Sequence, residues 1–218
     1  MPRKLETSSF IIDHNVENFG LTNTTIKGAL EYVYSILDEI DESLVSKEEG
    51  RLSELIELAN LSAVIGNLLR GGISKCSNGR FIANSPHKYP DLISNEQDFE
   101  DIEIKIALEN NNPKGHLVKP GPHITARYVL GSINGTYIGG KENRGNVAWF
   151  WELRVGYLEE EHFNVSNTEG DSGKTAVINS DGMSALHVAF CDLEKCPYSR
   201  SGKIYKSLEN LFTPRLSI

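Results

Sequence analysis

The sequence predicts an α+β fold in which N-terminal helices pack on a mixed β-sheet. Two observations predict it. Apolar residues recur at helical spacing through the first 70 positions, and beyond Ile73 short apolar stretches are punctuated by Gly, Pro and Asn. Helices first and strands afterwards is the order expected when helices cover a sheet, not when strands and helices alternate. With 218 residues, 39% apolar and 24% charged, the chain is long enough to bury a core without disulfides or a structural metal. No repeat, low-complexity linker or composition break divides it, so residues 1–218 read as one domain. Within it, residues 1–70 form a helical part and residues 71–218 the sheet.

The elements follow in order. Ile26, Leu30, Val33, Tyr34 and Leu37 make one helical stripe, and Leu52, Leu55, Ile56 and Ala59 a second. The second helix is expected to begin near Ser46, with Glu48 and Glu49 in its first turn, and to stop at Gly71-Gly72. Strands are expected over 79–84, 89–94, 99–107, 124–132, 147–157 and 184–190, and a terminal helix around 203–212.

Composition narrows the function classes. A net charge of -8 argues against a protein that coats nucleic acid non-specifically. The charge is uneven: residues 1–60 carry 5 basic and 12 acidic side chains, residues 113–154 carry 6 and 2. The middle of the chain therefore suits a polyanion. Three cysteines are too few for a disulfide framework and are expected as free thiols, and His187, Cys191 and Cys196 lack the paired spacing of a zinc site. No apolar run is long enough to span a bilayer and the start, Met1-Pro2-Arg3-Lys4, lacks a signal-like stretch, so a cytoplasmic protein without membrane contact is expected.

Chemistry concentrates in one segment. In Asp101-Ile102-Glu103-Ile104-Lys105-Ile106 apolar residues alternate with charged ones, which on a strand places the isoleucines on one face and Asp101, Glu103 and Lys105 on the other. If the preceding stretch Lys88-Tyr89-Pro90-Asp91-Leu92-Ile93-Ser94 pairs with it as a hairpin, Asp91 reaches the same face. Two carboxylates suit a hard divalent cation that keeps open positions for water and a phosphate oxygen. An ammonium beside them can orient the attacking water and offset charge growing on phosphorus.

Pro90-Asp91 followed twelve residues later by Glu103-Ile104-Lys105 resembles the PD-(D/E)XK motif of restriction endonucleases. The chain holds a single Pro-Asp and a single acid-x-Lys triplet. The resemblance implies an α/β/α restriction-endonuclease-like core and a Mg²⁺-dependent, sequence-specific endodeoxyribonuclease of type II. Such an enzyme cuts double-stranded DNA to leave a 5′-phosphate and a 3′-hydroxyl. It further implies that Asp91, Glu103 and the main-chain carbonyl of Ile104 hold Mg²⁺, that Lys105 acts on the water, and that Glu57, or Glu54 one turn earlier, assists from the preceding helix. The order of elements is closest to the EcoRV-type branch, which works as a homodimer, and residues 1–70 are the expected dimer face. A repair, recombination or phage nuclease of the same fold is the nearest alternative, and a non-catalytic DNA- or protein-binding module with a charged hairpin the next.

Two loops have the side chains of a DNA contact. Lys114, Lys119 and Arg127 are expected to neutralise phosphates, and Asn134, Lys141, Asn143 and Arg144 to meet phosphates or base edges. Trp149, Phe150 and Trp151 on an alternating strand are expected in the core. Gly170–Thr175 resembles a phosphate-binding loop but lacks its first glycine, and the residues after it do not continue as a helix. His14, His87 and His162 read as surface or capping residues.

Overall fold

The computed structural model describes residues 2–85, 88–166 and 175–213. In chain order the elements are α1 (His14–Glu17), α2 (Asn23–Val45), α3 (Leu52–Leu55), α4 (Leu58–Cys76), β1 (Phe81–Ala83), β2 (Leu92–Ser94), β3 (Glu103–Leu108), β4 (Lys114–Gly115), β5 (Gly121–Gly131), β6 (Val147–Leu158), β7 (Phe163–Ser166), β8 (Thr175–Ile178), α5 (Ser180–Ala185), β9 (His187–Cys191) and α6 (Lys203–Glu209). The α+β expectation holds: a four-stranded sheet ordered β3-β5-β6-β9 is parallel between β3 and β5 and antiparallel elsewhere, and α4 packs on β3. No helix among the described residues is long and apolar enough to cross a membrane.

The helix boundaries differ from the sequence expectation. Ser46 ends α2 as its C-cap, and the segment through α3 is a short bridge before α4 begins after Glu57. Gly71 and Gly72 do not stop the helix but lie inside it. A Cβ on Gly72 would stand 2.8 Å from the Ala29 carbonyl oxygen, so the missing side chain is what lets α4 cross α2 closely. That contact repays the usual cost of an interior helical glycine.

Period-two alternation gives the central sheet two different faces. One presents Ile104, Ile124, Ala126, Leu153 and Val155 to the helices, whose buried stripes are Ile26, Leu30, Val33 and Leu37 on α2 and Leu61, Ile65, Leu69 and Ile73 on α4. Both helices thus spend their apolar faces on their own sheet, and of their large apolar side chains only Val45 stands well exposed. The other face is polar although buried: Glu103, His123, Thr125, Arg127 and Glu152 all lie on it. Phe163, Tyr198 and α5 cover it. Trp149, Phe150 and Trp151 are buried as expected. The small sheet β4-β8-β7 flanks this face; its strands and α5 are too short to stand out in the sequence.

Candidate active site

Asp91 is pinned by backbone on both sides. Ahead of it, the Asn84 side-chain amide donates to the Pro90 carbonyl at 2.8 Å and the Asn84 N–H to the Asp91 carbonyl at 2.9 Å. Behind it, Leu92 and Ile102 exchange both hydrogen bonds of an antiparallel bridge. The expected hairpin between 89–94 and 99–107 is reduced to this bridge, since β2 pairs along its length with β1 instead. The bridge suffices. It sets the Asp91 carboxylate against the edge of β3, where Oδ2 accepts from the Ile104 N–H at 2.8 Å. A strand residue sends its N–H and C=O to the same edge, so the Ile104 carbonyl opens to the side on which Asp91 sits.

Glu103 and Lys105 project side by side from β3, as alternation predicts. Glu103 is 4% exposed, opposite His123 in the parallel ladder. Its Oε1 accepts from Lys105 Nζ and, at 2.7 Å, from Lys119 Nζ. Burial pushes the Glu103 carboxyl up, but the two ammonium groups outweigh it and hold the group below its ordinary range. Asp91 goes the other way: burial and the Glu103 charge raise it, against the Ile104 hydrogen bond and the nearby Lys105 and Arg70. Burial also takes His123 down to about 4, with Lys105 and Lys119 adding to the effect, so its imidazole is neutral at pH 7.

These groups line one cleft of about 640 Å³ between the edge of β3, the helix α4 and the segment that carries β4. Asp91, Glu103, Ile104, Lys105, Lys114 and Lys119 all reach it. From α4 come Ser62, Ala63, Gly66 and Asn67, with Arg70 one turn on, close enough to act on Asp91. Gly66 keeps the helix near β3, for a Cβ there would stand 3.2 Å from the Ile106 side chain. Among the described residues no group of three or more His, Cys, Asp or Glu side chains converges. At the β3 edge the oxygen donors are two carboxylates and the Ile104 main-chain carbonyl, with Ser62 and Asn67 across the cleft on α4. That donor set fits a small hard cation which keeps several of its waters.

Other expected site residues stand elsewhere. Glu57 is exposed at the N-cap of α4, five residues and roughly 7.5 Å along the helix from Ser62, the nearest α4 residue of the cleft, and does not itself line it. Glu54 caps α3 by accepting from the Arg51 N–H. Arg127 is a correction: it is 2% exposed, paired with Glu152 at 2.6 Å and stacked over Trp151 at 4.3 Å. A phosphate cannot reach it. Glu152 also binds Arg154 at 2.8 Å, completing a buried network on the polar face.

Arg144 makes two hydrogen bonds of 3.0 Å to the Glu109 carboxylate, while Asn134 and Asn143 are exposed. Lys141 begins a short 3-10 turn. These four follow the far end of β5. Eight residues of strand separate Gly131 from His123, or about 26 Å at 3.3 Å per residue, so this loop is not part of the acidic cleft.

Asn67, Arg70, His116 and Tyr89 carry no motif signal in the sequence, although each lies at or beside the cleft. The spacing of Leu61, Ile65 and Leu69 identifies Ala63, Gly66/Asn67 and Arg70 as a neighbouring stripe of α4, but only once the helix phase is known. His14 is exposed and His162 caps a turn through the Glu159 N–H. His187 pairs with Asp13 at 3.2 Å, and Cys76, Cys191 and Cys196 are free. His87 and residues 170–174 of the loop that resembles a phosphate-binding loop lie outside the described residues. No protein-family model matches the chain, and neither does any curated protein.

Proposed function

We propose that this chain is a Mg²⁺-dependent endodeoxyribonuclease of the type II restriction class, hydrolysing phosphodiester bonds in double-stranded DNA as a homodimer. The observation that carries the reading is the meeting of Asp91, Glu103 and Lys105 at one strand edge, with Asp91 held on the Ile104 amide and Glu103 on Lys105. The Leu92–Ile102 bridge brings Asp91 to that edge, and the result is two carboxylates and an ammonium on one cleft.

Asp91, Glu103 and the Ile104 carbonyl would hold Mg²⁺, which when bound supplies an acidified water and neutralises charge on the phosphate. Lys105 lies beside the acid pair, where its ammonium holds the attacking water and offsets charge developing on phosphorus. Lys114, exposed at the rim, and Lys119 meet the flanking phosphates. The α4 wall, through Ala63, Gly66 and Asn67, limits how the backbone of the substrate can enter.

The test is incubation of the purified protein with a long linear duplex and MgCl₂. Wild type is expected to cut, and Asp91→Ala and Lys105→Ala to lose at least about 10³-fold of the rate. Discrete fragments support a sequence-specific enzyme, and a smear or nicking at structural irregularities supports a repair or recombination nuclease. If wild type cuts no duplex with any divalent ion, the enzymatic reading fails.

A further inference from the structure

Glu103 is the most crowded acid in the cleft, and its two partners are not equivalent. Lys105 stands on β3 itself, two residues away and in register with Thr125 of β5, with its side chain 15% exposed. Lys119 comes from the connection between β4 and β5, and its side chain is 25% exposed. Its Nζ also lies 4.1 Å above the ring of Tyr89, which is 52% exposed at the cleft rim. Lys119 thus holds its charge between Glu103 and the exposed face of Tyr89, on the solvent side of Glu103.

Charge counting shows what this ammonium does. Asp91 and Glu103 contribute two negative charges, Lys105 and Lys119 two positive ones, so these four groups sum to zero before Arg70 adds a further positive charge beside Asp91. A divalent cation gains little Coulomb energy from a cluster without net negative charge and must also compete for Glu103 Oε1, which both lysines already occupy. Removing Lys119 lowers the sum by one charge and frees one of those hydrogen bonds. A phosphodiester arriving at the rim offers Lys119 an alternative anion within a side-chain swing across Tyr89.

We propose that Lys119 is an exchangeable counter-ion: it neutralises Glu103 until a DNA phosphate takes it, so that duplex binding releases Glu103 for the divalent cation and the two bind with positive coupling. The proposal rests on the nuclease reading and adds to it the order in which the site is charged. Coupling of this kind is reciprocal, each ligand strengthening the other by the same factor. It also gives an acidic protein a means of keeping metal-activated water away until substrate is in place.

The experiment uses Mn²⁺ as the probe, following free Mn²⁺ by electron paramagnetic resonance with the protein alone. Lys119→Met and Lys119→Gln are expected to bind Mn²⁺ roughly tenfold more tightly than wild type, Lys203→Met, an exposed α6 position outside the cleft lining, to match wild type, and Glu103→Gln to bind far more weakly. In a second arm, with EDTA and a short duplex, Lys119→Met is expected to lower the slope of log affinity against log salt by about 0.9, the loss of one phosphate contact. If the Lys119 variants bind Mn²⁺ no more tightly while Glu103→Gln loses it, the exchange is wrong and the metal site stands. If the salt slope is unchanged, Lys119 takes no phosphate and the exchange is equally wrong. If Glu103→Gln binds Mn²⁺ like wild type, the acid pair holds no cation and the nuclease reading falls as well.

Discussion

Burial and the Glu103 carboxylate hold the Asp91 carboxyl above its ordinary range, whereas the ammonium groups around Glu103 hold that carboxyl below it. The two acids therefore contribute to stability with opposite signs. For Asp91 the folded state keeps its proton at pH values where the unfolded chain has lost it, so stability falls as pH rises from the unfolded value through the higher folded one. For Glu103 the contribution is present above the unfolded value and is lost as pH falls through the depressed folded one. Asp91→Asn removes the charge yet keeps an oxygen for the Ile104 N–H. It is expected to raise Tm at pH 7 by on the order of 2–4 °C, with the gain vanishing at a pH below both values, while abolishing cleavage. Glu103→Gln at pH 7 should instead lower Tm, by roughly several degrees. Thermal melts at both pH values check the pair, and a lower Tm for Asp91→Asn would make Asp91 a structural residue. Glu103 and Lys105 are legible in the sequence because alternation assigns a face from spacing alone, whereas Asp91 joins them only through the pairing of a second segment. Lys119 and Arg127 are not separable that way: both are cations after the motif, yet one lines the cleft and the other is buried against Glu152.

At the scale of elements, α4 decides which side chains the cleft receives. Its phase points Ala63, Gly66 and Asn67 inward and leaves Glu57 at the exposed cap. Glu57→Gln is accordingly expected to keep cleavage within about twofold of wild type, a loss well under 1 kcal/mol of transition-state stabilisation; a hundredfold loss would return Glu57 to the site. The crossing of α4 over α2 depends on Gly72. Alanine would raise helix propensity by about 1 kcal/mol, but its Cβ would press on the Ala29 backbone, which cannot rotate away. Gly72→Ala should therefore destabilise the protein by about 1–3 kcal/mol net in urea unfolding. A stabilised variant would show that the helices separate freely. The six strands expected from the sequence all appear, with shifted ends, because each carries a run of apolar residues that the core requires. β4, β7, β8 and α5 did not announce themselves: at two to six residues they are too short to show a period, and the strands among them are defined by pairing partners rather than by their own pattern.

Across the whole molecule, a net charge of -8 repels a polyanion, so attraction has to be local. Many of the cations between 113 and 154 are internally committed: Arg127 and Arg154 to Glu152, and Arg144 to Glu109. Among the described residues, Lys114 and Lys119 line the cleft with ammonium groups that can turn to phosphates. Neutralising two phosphates gives a slope of about −1.8 in log affinity against log salt for each protomer, at 0.9 per contact. Duplex binding measured between low and physiological salt should show that slope, and Lys114→Met should reduce it. A slope near zero would place the duplex elsewhere.

By itself the sequence determined the helix-then-strand order, the residues of the central strands and the alternating face that bears Glu103 and Lys105, because local spacing and burial set these. Only the tertiary structure decided that Asp91 meets Glu103 across a single backbone bridge, that Lys119 shares Glu103 with Lys105, and that Arg127 is spent inside the sheet. Those are contacts between elements separated in sequence. Their geometry is set by how α4 and the neighbouring strands pack, which no spacing within one element records.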